Sequence, residues 1–164
     1  GLEPSCLLTL RDEALVLGLG EAAHVVSQQA MLLEEFLARE NKNKQLEGLK
    51  EKLKPAKQPI LLHGHCHQKA FGVMSPVMEV IQLIPKAKPE LIESSCCGMA
   101  GSFGYEANHL EVSMQMAELS LLPAVRAKAD AIVVADGTSC RHQIKDGANR
   151  DAIHVAQLLS QHLQ

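Results

Sequence analysis

The sequence predicts an α/β fold, a mostly parallel sheet with helices on both faces, in three layers. Short apolar segments at 60–63, 91–94 and 131–135 have the length and composition of buried strands. The segments between and after them carry apolar residues at three-to-four spacing, as amphipathic helices do. Because strands that alternate with helices pair in parallel through crossover connections, we expect one sheet with the cysteines in loops at the carboxyl ends of its strands.

The predicted helices form a front group and a crossover group. At the front, residues 21–40 predict one long amphipathic helix, and the charged stretch 41–54 predicts a solvated helix or a linker. The apolar stripe of the long helix consists of Val25, Val26, Ala30, Leu33 and Leu37. Residues 68–83, 111–128 and 149–163 predict the crossover helices.

Length and charge exclude several classes of protein. With 164 residues, the chain is long enough for one compact domain with a sizeable core. Its 16 Lys and Arg residues nearly balance 19 Asp and Glu residues, so a net charge of −3 gives no basic footprint for nucleic acid. No apolar run approaches the roughly 20 residues that cross a bilayer, so we expect no transmembrane segment.

The cysteine content indicates a reducing compartment. The chain has five cysteines, and its first residues lack the basic and apolar regions of a secretory signal. Free thiols in such a context serve metal or redox chemistry more often than structural disulfides, so we expect a cytoplasmic location. Because the chain starts with Gly1 and not Met, we also expect it to be a piece of a longer protein.

Four cysteines follow the predicted strands and are the candidate ligands of a metal or cluster. Cys66 follows the strand at 60–63, the pair Cys96 and Cys97 follows the strand at 91–94, and Cys140 follows the strand at 131–135. The carboxyl ends of parallel strands meet at one edge of a sheet, which brings these thiols together. Four thiolates match a [4Fe-4S] cluster or a closed tetrahedral zinc site, and the spacing does not choose between them.

Two interpretations without a metal also apply. A redox dithiol or a vicinal disulfide would use the adjacent pair Cys96 and Cys97. Alternatively, buried free cysteines act as small apolar residues, which suits Cys6 but not a Cys-Cys-Gly loop between two serines and a glycine-rich turn.

Three histidines crowd the segment around Cys66, and a glycine follows the cysteine pair. If the segment stays extended, His63, His65 and His67 share one face and Cys66 points to the other. We therefore expect these histidines to support the sulfur ligands by hydrogen bonding. Gly98 is expected to turn the chain so that both sulfurs of the pair converge. The other histidines, His154 among them, are expected at the surface or as helix caps.

A short internal echo suggests a repeat. The eight residues 5–12 align without gaps with residues 139–146, with Ser, Cys, an aliphatic residue, a base and Asp in common. Cys6 then corresponds to Cys140, and it would belong to a site whose other ligands precede this chain.

The Cys-Cys-Gly sequence at 96–98, with Cys66 upstream and Cys140 downstream, resembles the cysteine-rich CCG domain family. This family includes proteins that resemble a cysteine-rich subunit of heterodisulfide reductase or the iron–sulfur subunit of glycolate oxidase. The wording of residues 96–106 is most similar to the C-terminal part of FAD-linked 2-hydroxyacid dehydrogenases. The resemblance implies that residues 1–57 are the tail of a first repeat plus a helical connection, that 58–164 are a second repeat, and that both form one compact domain.

The resemblance also implies a function. Cys66, Cys96, Cys97 and Cys140 would bind an iron–sulfur cluster, or zinc in some members. Gly137 stands where the fullest motif has another cysteine, which favours four thiolate ligands over five. The chain would be an electron-transfer module without catalysis of its own. Its partner would be a flavin domain or subunit of the same enzyme, with FAD bound there, a small 2-hydroxy acid as substrate, and a quinone as a possible acceptor reached at the inner face of a membrane.

Overall fold

The computed structural model describes residues 1–164, and it confirms the predicted fold class. Four parallel strands form one sheet in the order β2-β1-β3-β4: β1 (Ile60–His63), β2 (Pro89–Leu91), β3 (Ile132–Ala135) and β4 (Ala152–Ile153). The two central strands pair over their whole length, from Ile60 opposite Ile132 to His63 opposite Ala135. The carboxyl ends of β1 and β3 therefore lie side by side.

Ten helices surround the sheet. They are α1 (Pro4–Thr9), α2 (Glu21–Gln29), α3 (Leu33–Lys42), α4 (Glu47–Lys50), α5 (Cys66–Ala70), α6 (Met74–Ile81), α7 (Leu110–Glu118), α8 (Leu121–Ala127), α9 (Thr138–Ala148) and α10 (Val155–His162). Single 3-10 turns lie at Glu13–Val16 and Phe103–Tyr105. None of these helices is long and apolar enough to cross a membrane.

Alternate residues of the strands divide the core into two layers. Ile60, Leu62 and Val134 pack with α3, α6 and α10 on one face of the sheet. Leu61 and Val133 point the other way and pack with α8, α9 and the Cys97 loop. Because successive strand residues face opposite sides, nearly continuous apolar strands are required to fill both layers. These two layers and the sheet make the three-layer arrangement that the sequence predicts.

Several predicted elements are wrong in their bounds. The predicted helix 21–40 is two helices, because residues 30–32 are extended and Leu32 packs into a small cluster with Leu8 and Val73. Arg11 stabilises this break by donating to the Ala30 carbonyl at 2.8 Å and to the Glu35 carboxylate at 2.6 Å. Val25 and Val26 of the predicted apolar stripe face solvent.

The predicted crossover helices are also divided. The helix at 68–83 breaks at Gly72, whose φ is +67°, and the helix at 111–128 breaks before Ser120, just ahead of Pro123. The helix at 149–163 is wrong at its start, because left-handed Asn149 ends α9, and β4 precedes α10. The strand predicted at 91–94 ends at Leu91, although the Ile92 amide still donates to the Leu62 carbonyl.

Candidate metal centre

The four predicted cysteines lie at the carboxyl ends of β1, β2 and β3. Only Cys96 and Cys97 lie in a loop, however. Cys66 is the first residue of α5, and Cys140 is the third residue of α9, so the expectation that all four lie in loops is wrong. Both helices begin immediately after short strand connections, which places these two thiols in first helical turns, where free backbone N–H groups favour negative charge.

The β1 connection is folded, not extended. His65 is the N-cap of α5, and its Nδ1 accepts a hydrogen bond from the His67 amide at 3.2 Å. Gln68 completes a reciprocal cap, because its Oε1 accepts from the His65 amide at 2.9 Å. The condition under which three histidines share one face is therefore not met. His63 and His65 are buried, and His67 is half-buried.

The loop that carries Cys96 and Cys97 is held by donors from the flanking helices. Gln143 of α9 donates its side-chain amide to the Cys97 carbonyl at 2.9 Å and to the Ser113 carbonyl at 3.0 Å. Lys69 of α5 donates to the Ser94 and Ser95 carbonyls at 2.5 and 2.8 Å. These contacts fix the backbone on both sides of Cys96.

Gly98 provides the turn after the cysteine pair. Its φ is +94°, and a Cβ built on it would lie 2.1 Å from the Ser113 carbonyl oxygen, so no other residue fits there. The Gly98 amide donates to Cys96 Sγ at 3.3 Å. The backbone therefore turns back toward its own thiol and places a hydrogen-bond donor on it.

Gly137, the N-cap of α9, explains the departure from the fullest cysteine motif. A Cβ at this position would lie 2.4 Å from Cδ2 of His65 and 3.1 Å from Cys140 Sγ. A cysteine there would collide with the imidazole that caps α5. The His65 ring thus occupies the space that another side chain would need.

The deepest part of the site combines nitrogen and sulfur. One ring nitrogen of His63 and the Sγ atoms of Cys97 and Cys140 all lie within 4.8 Å of one another, and all three residues are buried. A cavity of about 390 Å³ opens above them toward solvent. It is lined by Ser5, His65, Cys66, His67, Cys96, Cys97, Ala100, Gly101 and Ser139.

The thiols influence one another strongly. Hydrogen bonding with Cys66 lowers the pKa of Cys96 far below its ordinary value of 9 and raises the pKa of Cys66. In the same way, hydrogen bonding with Cys97 lowers the pKa of Cys140 to about 5, while the pKa of Cys97 is raised. Two thiolates thus alternate with two protonated thiols. A bound cation would displace both remaining protons and relieve the repulsion among four sulfurs.

Positive charge near the thiols comes chiefly from Lys69. Its pKa is lowered by burial, which the negative sulfurs partly offset. Sequence analysis missed Lys69 and Gln143. Lys69 could have been found, because it stands three residues after Cys66 on a helix and therefore shares its face. Gln143 stands in the same relation to Cys140.

Cys6 does not join the group. It is exposed on α1, so the interpretation of Cys6 as a buried apolar residue is wrong. Its neighbour Ser5 lines the cavity, and Glu3 accepts hydrogen bonds from the Thr138 amide and hydroxyl at 2.9 and 2.8 Å. Helix α1 therefore lies against the start of α9, at the mouth of the site.

A second buried polar group lies between α3, β3 and α10. His154 was expected at the surface or as a cap; it caps α10 but is buried. Its Nε2 lies 3.4 Å from Oδ1 of Asp136 and 4.0 Å from Oε1 of Glu34. Asp136 also accepts from Gln68 at 2.8 Å. Since Gln68 caps α5, this group is connected by hydrogen bonds to the cysteine site.

The chain is similar in sequence to parts of two kinds of dehydrogenase. It is 28% identical over 117 residues to one subunit, the third by letter, of the anaerobic glycerol-3-phosphate dehydrogenase of Escherichia coli, an alignment that covers 71% of this chain and 29% of that protein. It is 28% identical over 167 residues to the D-2-hydroxyglutarate dehydrogenase of Pseudomonas putida, with 100% of this chain and 15% of the relative covered.

The D-2-hydroxyglutarate dehydrogenase of Haemophilus influenzae is 30% identical over 155 residues, which cover 88% of this chain and 14% of that protein. The chain thus spans less than a third of the length of the curated relatives that it matches. No protein-family model matches the chain. Fold, site and similarity together define a cysteine-rich α/β module related to parts of dehydrogenases.

Proposed function

We propose that this chain is the iron–sulfur electron-transfer module of a larger FAD-linked oxidoreductase that acts on a small 2-hydroxy acid. Cys66, Cys96, Cys97 and Cys140 are the proposed ligands of a [4Fe-4S] cluster. The observation that carries the proposal is the convergence of thiols from three strand ends beneath one cavity. The similarity to D-2-hydroxyglutarate dehydrogenases supports the class of substrate.

The donor set fits a soft metal or cluster. Thiolates are the ligands that iron–sulfur clusters and zinc prefer. Nε2 of His63 is buried without a hydrogen-bond partner, as is typical of a nitrogen that serves as a ligand. Such a cluster supplies one-electron transfer between a flavin and an external acceptor. The residues of this chain hold it, exclude water from its deep side, and set its potential through the Lys69 charge and the Gly98 amide.

Zinc is the second candidate, favoured by the compactness of the deep part. Tetrahedral zinc with Zn–S bonds of about 2.3 Å holds its ligand atoms about 4 Å apart. The 4.8 Å limit that encloses the His63 nitrogen and two sulfurs is close to that spacing. A structural zinc module would hold the same ligands but transfer no electrons.

The proposed assembly follows from the same placement. We propose that residues 1–57 contain the tail of a first repeat and that 58–164 form a second. Cys6 is the third residue of α1 as Cys140 is the third of α9, and each follows a serine, which supports this view. The partner would be a flavin domain or subunit in the cytoplasm, peripheral to the membrane where a quinone is the acceptor.

Anaerobic preparation with analysis for iron, sulfide and zinc tests the proposal. We expect a brown protein with iron and sulfide in equal amounts. Cys96→Ser and Cys140→Ser should each lose the cluster, whereas Cys6→Ser should keep it and control for removal of a thiol. Zinc without iron would favour the second candidate. Metal-free protein that loses two titratable thiols on oxidation would instead indicate a thiol-redox module.

Electron transfer needs a separate measurement in the full-length protein with its flavin. With a D-2-hydroxy acid as reductant, the Cys140→Ser variant should still bleach the flavin but should reduce a quinone analogue much more slowly than the unsubstituted protein. An equal rate of quinone reduction in both proteins would contradict the proposed role.

A further inference from the structure

His63 has one ring nitrogen with a partner and one without. It is the last residue of β1, and its side chain is 1% exposed. Nδ1 lies 3.0 Å from the Ser94 hydroxyl, but Nε2 has no hydrogen-bond partner. A buried polar atom without a partner costs on the order of 1–3 kcal/mol, so its persistence in a core requires an explanation.

The surroundings of Ser94 determine which nitrogen carries the proton. Lys69 can only donate, and its ammonium lies 3.3 Å from the Ser94 hydroxyl oxygen. That oxygen has a second lone pair, which accepts from Nδ1–H of His63. The lone pair of His63 then lies on Nε2. A hydrogen bond that fixes the tautomer in this way is usual for histidines that bind metal.

His63 differs in this respect from its neighbour His65. The Nδ1 of His65 accepts the His67 amide hydrogen, so its proton is on Nε2 and its ring has no free lone pair. His65 is therefore unsuited to bind a metal while it caps α5. His67 is half-buried and does not belong to the group of ligand atoms formed by His63, Cys97 and Cys140.

We propose that His63 is a direct nitrogen ligand of the metal or cluster, binding through Nε2 on the deep side of the site beside Cys97 and Cys140. This inference rests on the proposed function, and it changes the ligand set from four sulfurs to a mixed set of sulfur and nitrogen. A neutral imidazole adds no negative charge. A cluster with this ligand is easier to reduce than one held by thiolates alone.

The strand geometry supports this placement. His63 lies opposite Ala135, the last residue of β3, in the parallel register, and Cys140 follows Ala135 by five residues in the first turn of α9. His63 also alternates with Leu61, which faces the layer that contains Cys97 and Cys140. The imidazole thus points at the thiols because of strand register, and no loop movement is needed.

X-ray absorption at the edge of the metal that analysis finds in the full chain tests the inference directly. We expect sulfur ligands together with one light-atom ligand at the distance of an imidazole nitrogen, about 2.0 Å for zinc. In His63→Asn the nitrogen contribution should disappear, and a chelator should remove the metal at least about ten times more readily. In His67→Asn, the matched control, both should stay unchanged.

The second variant, His63→Cys, covers the case in which His63→Asn fails to fold. It should bind metal with one more sulfur and no nitrogen, and its cluster should be harder to reduce. An all-sulfur spectrum in the unsubstituted chain would overturn this inference but leave the proposed function standing. Loss of the nitrogen contribution in His67→Asn alone would also overturn it. A chain that binds no metal under any condition would overturn both.

Discussion

The Lys69 ammonium donates a 2.8 Å hydrogen bond to the carbonyl oxygen of Ser95, the residue before Cys96. One side chain therefore connects the helix that begins at Cys66 with the loop that carries the cysteine pair. It also places a positive charge beside the thiolates. Both effects depend on the ammonium group and not on the aliphatic stem of the lysine.

Replacing Lys69 by Met should weaken both the fold and the binding of metal. The variant leaves the carbonyls of Ser94 and Ser95 without their donor, so we expect the free energy of unfolding to fall by about 1–3 kcal/mol. Metal affinity should fall about ten-fold or more. Urea denaturation of the metal-free chain and chelator competition measure the two effects separately.

Lys54→Met is the control for this change. Lys54 is also a lysine that donates to a backbone carbonyl, that of Leu163 at 3.1 Å, but at an exposed position that does not line the site. Its removal should change stability by less than about 0.5 kcal/mol and leave metal affinity unaltered. Equal effects of the two substitutions would show that Lys69 has no special role.

Gly98→Ala should disrupt the cysteine loop. The φ of Gly98 is +94°, and the new Cβ would lie 2.1 Å from the Ser113 carbonyl oxygen. The backbone must move, so we expect a loss of about 3 kcal/mol or more in the free energy of unfolding and a severe loss of bound metal. Thermal unfolding and metal analysis measure both.

The same loop contains a matched control, Gly101. Its φ is +68°, but a Cβ there would meet nothing within 4 Å. Gly101→Ala should therefore cost only the backbone penalty of about 1–2 kcal/mol and keep the metal. If Gly101→Ala lost metal as completely as Gly98→Ala, the collision with Ser113 would not be the cause.

The strand part of the fold was predictable because burial on both faces leaves a plain signal. Two of the predicted strands, at 60–63 and 131–135, agree with β1 and β3 to within a residue, and their order of occurrence implied a parallel sheet. The edge strand at 91–94 was displaced, because a short strand paired on one side carries few apolar residues. Only two residues of β4 pair, which is too few for any periodic pattern.

Helix α9 was missed because its inward stripe is not apolar in sequence. Cys140, Gln143 and Ile144 form that stripe, and the glutamine is buried only because it binds two carbonyls of another segment. The candidate site shows the same division. The strand ends predicted which cysteines would meet, whereas the contribution of Lys69 depends on how α5 turns after His65, which no local pattern specifies.

The stability of the protein should fall as the pH rises above about 4.5, because of Glu34. Burial and the neighbouring Asp136 raise the pKa of Glu34 to about 8, from 4.5 in an unfolded chain. Between these values the folded protein keeps a proton that the unfolded chain releases, so increasing pH favours unfolding, by as much as about 1.4 kcal/mol per pH unit. Urea midpoints measured from about pH 5 to about pH 8.5 test this across the window that the linkage relation defines.

Glu34→Gln removes the titrating group and should flatten the decline over that window. Glu47→Gln, an exposed glutamate paired with Lys50 on the short helix α4, should leave it as steep as before. An unchanged pH dependence in the Glu34 variant would assign the decline to other groups. The measurement uses metal-free protein, so that changes at the cysteine site do not contribute.

In metal-free protein, iodoacetamide should modify Cys96 before Cys66. Both thiols are half-buried and line the same cavity, so they have similar access to the reagent. Hydrogen bonding with Cys66 and with backbone amides lowers the pKa of Cys96, whereas the shared proton raises the pKa of Cys66. Because the thiolate is the nucleophile, we expect Cys96 to react at least about ten times faster at about pH 6.

Peptide mapping by mass spectrometry in a Cys6→Ser background measures the two rates without the exposed thiol. Cys140 has a pKa of about 5 but is buried, so it should stay unmodified until the protein unfolds and thereby separates acidity from access. Cys96→Ser removes the acceptor that raises the pKa of Cys66, and Cys66 should then react faster than in the parent chain. A Cys66 rate that does not change in this variant would mean that the two thiols do not share a proton.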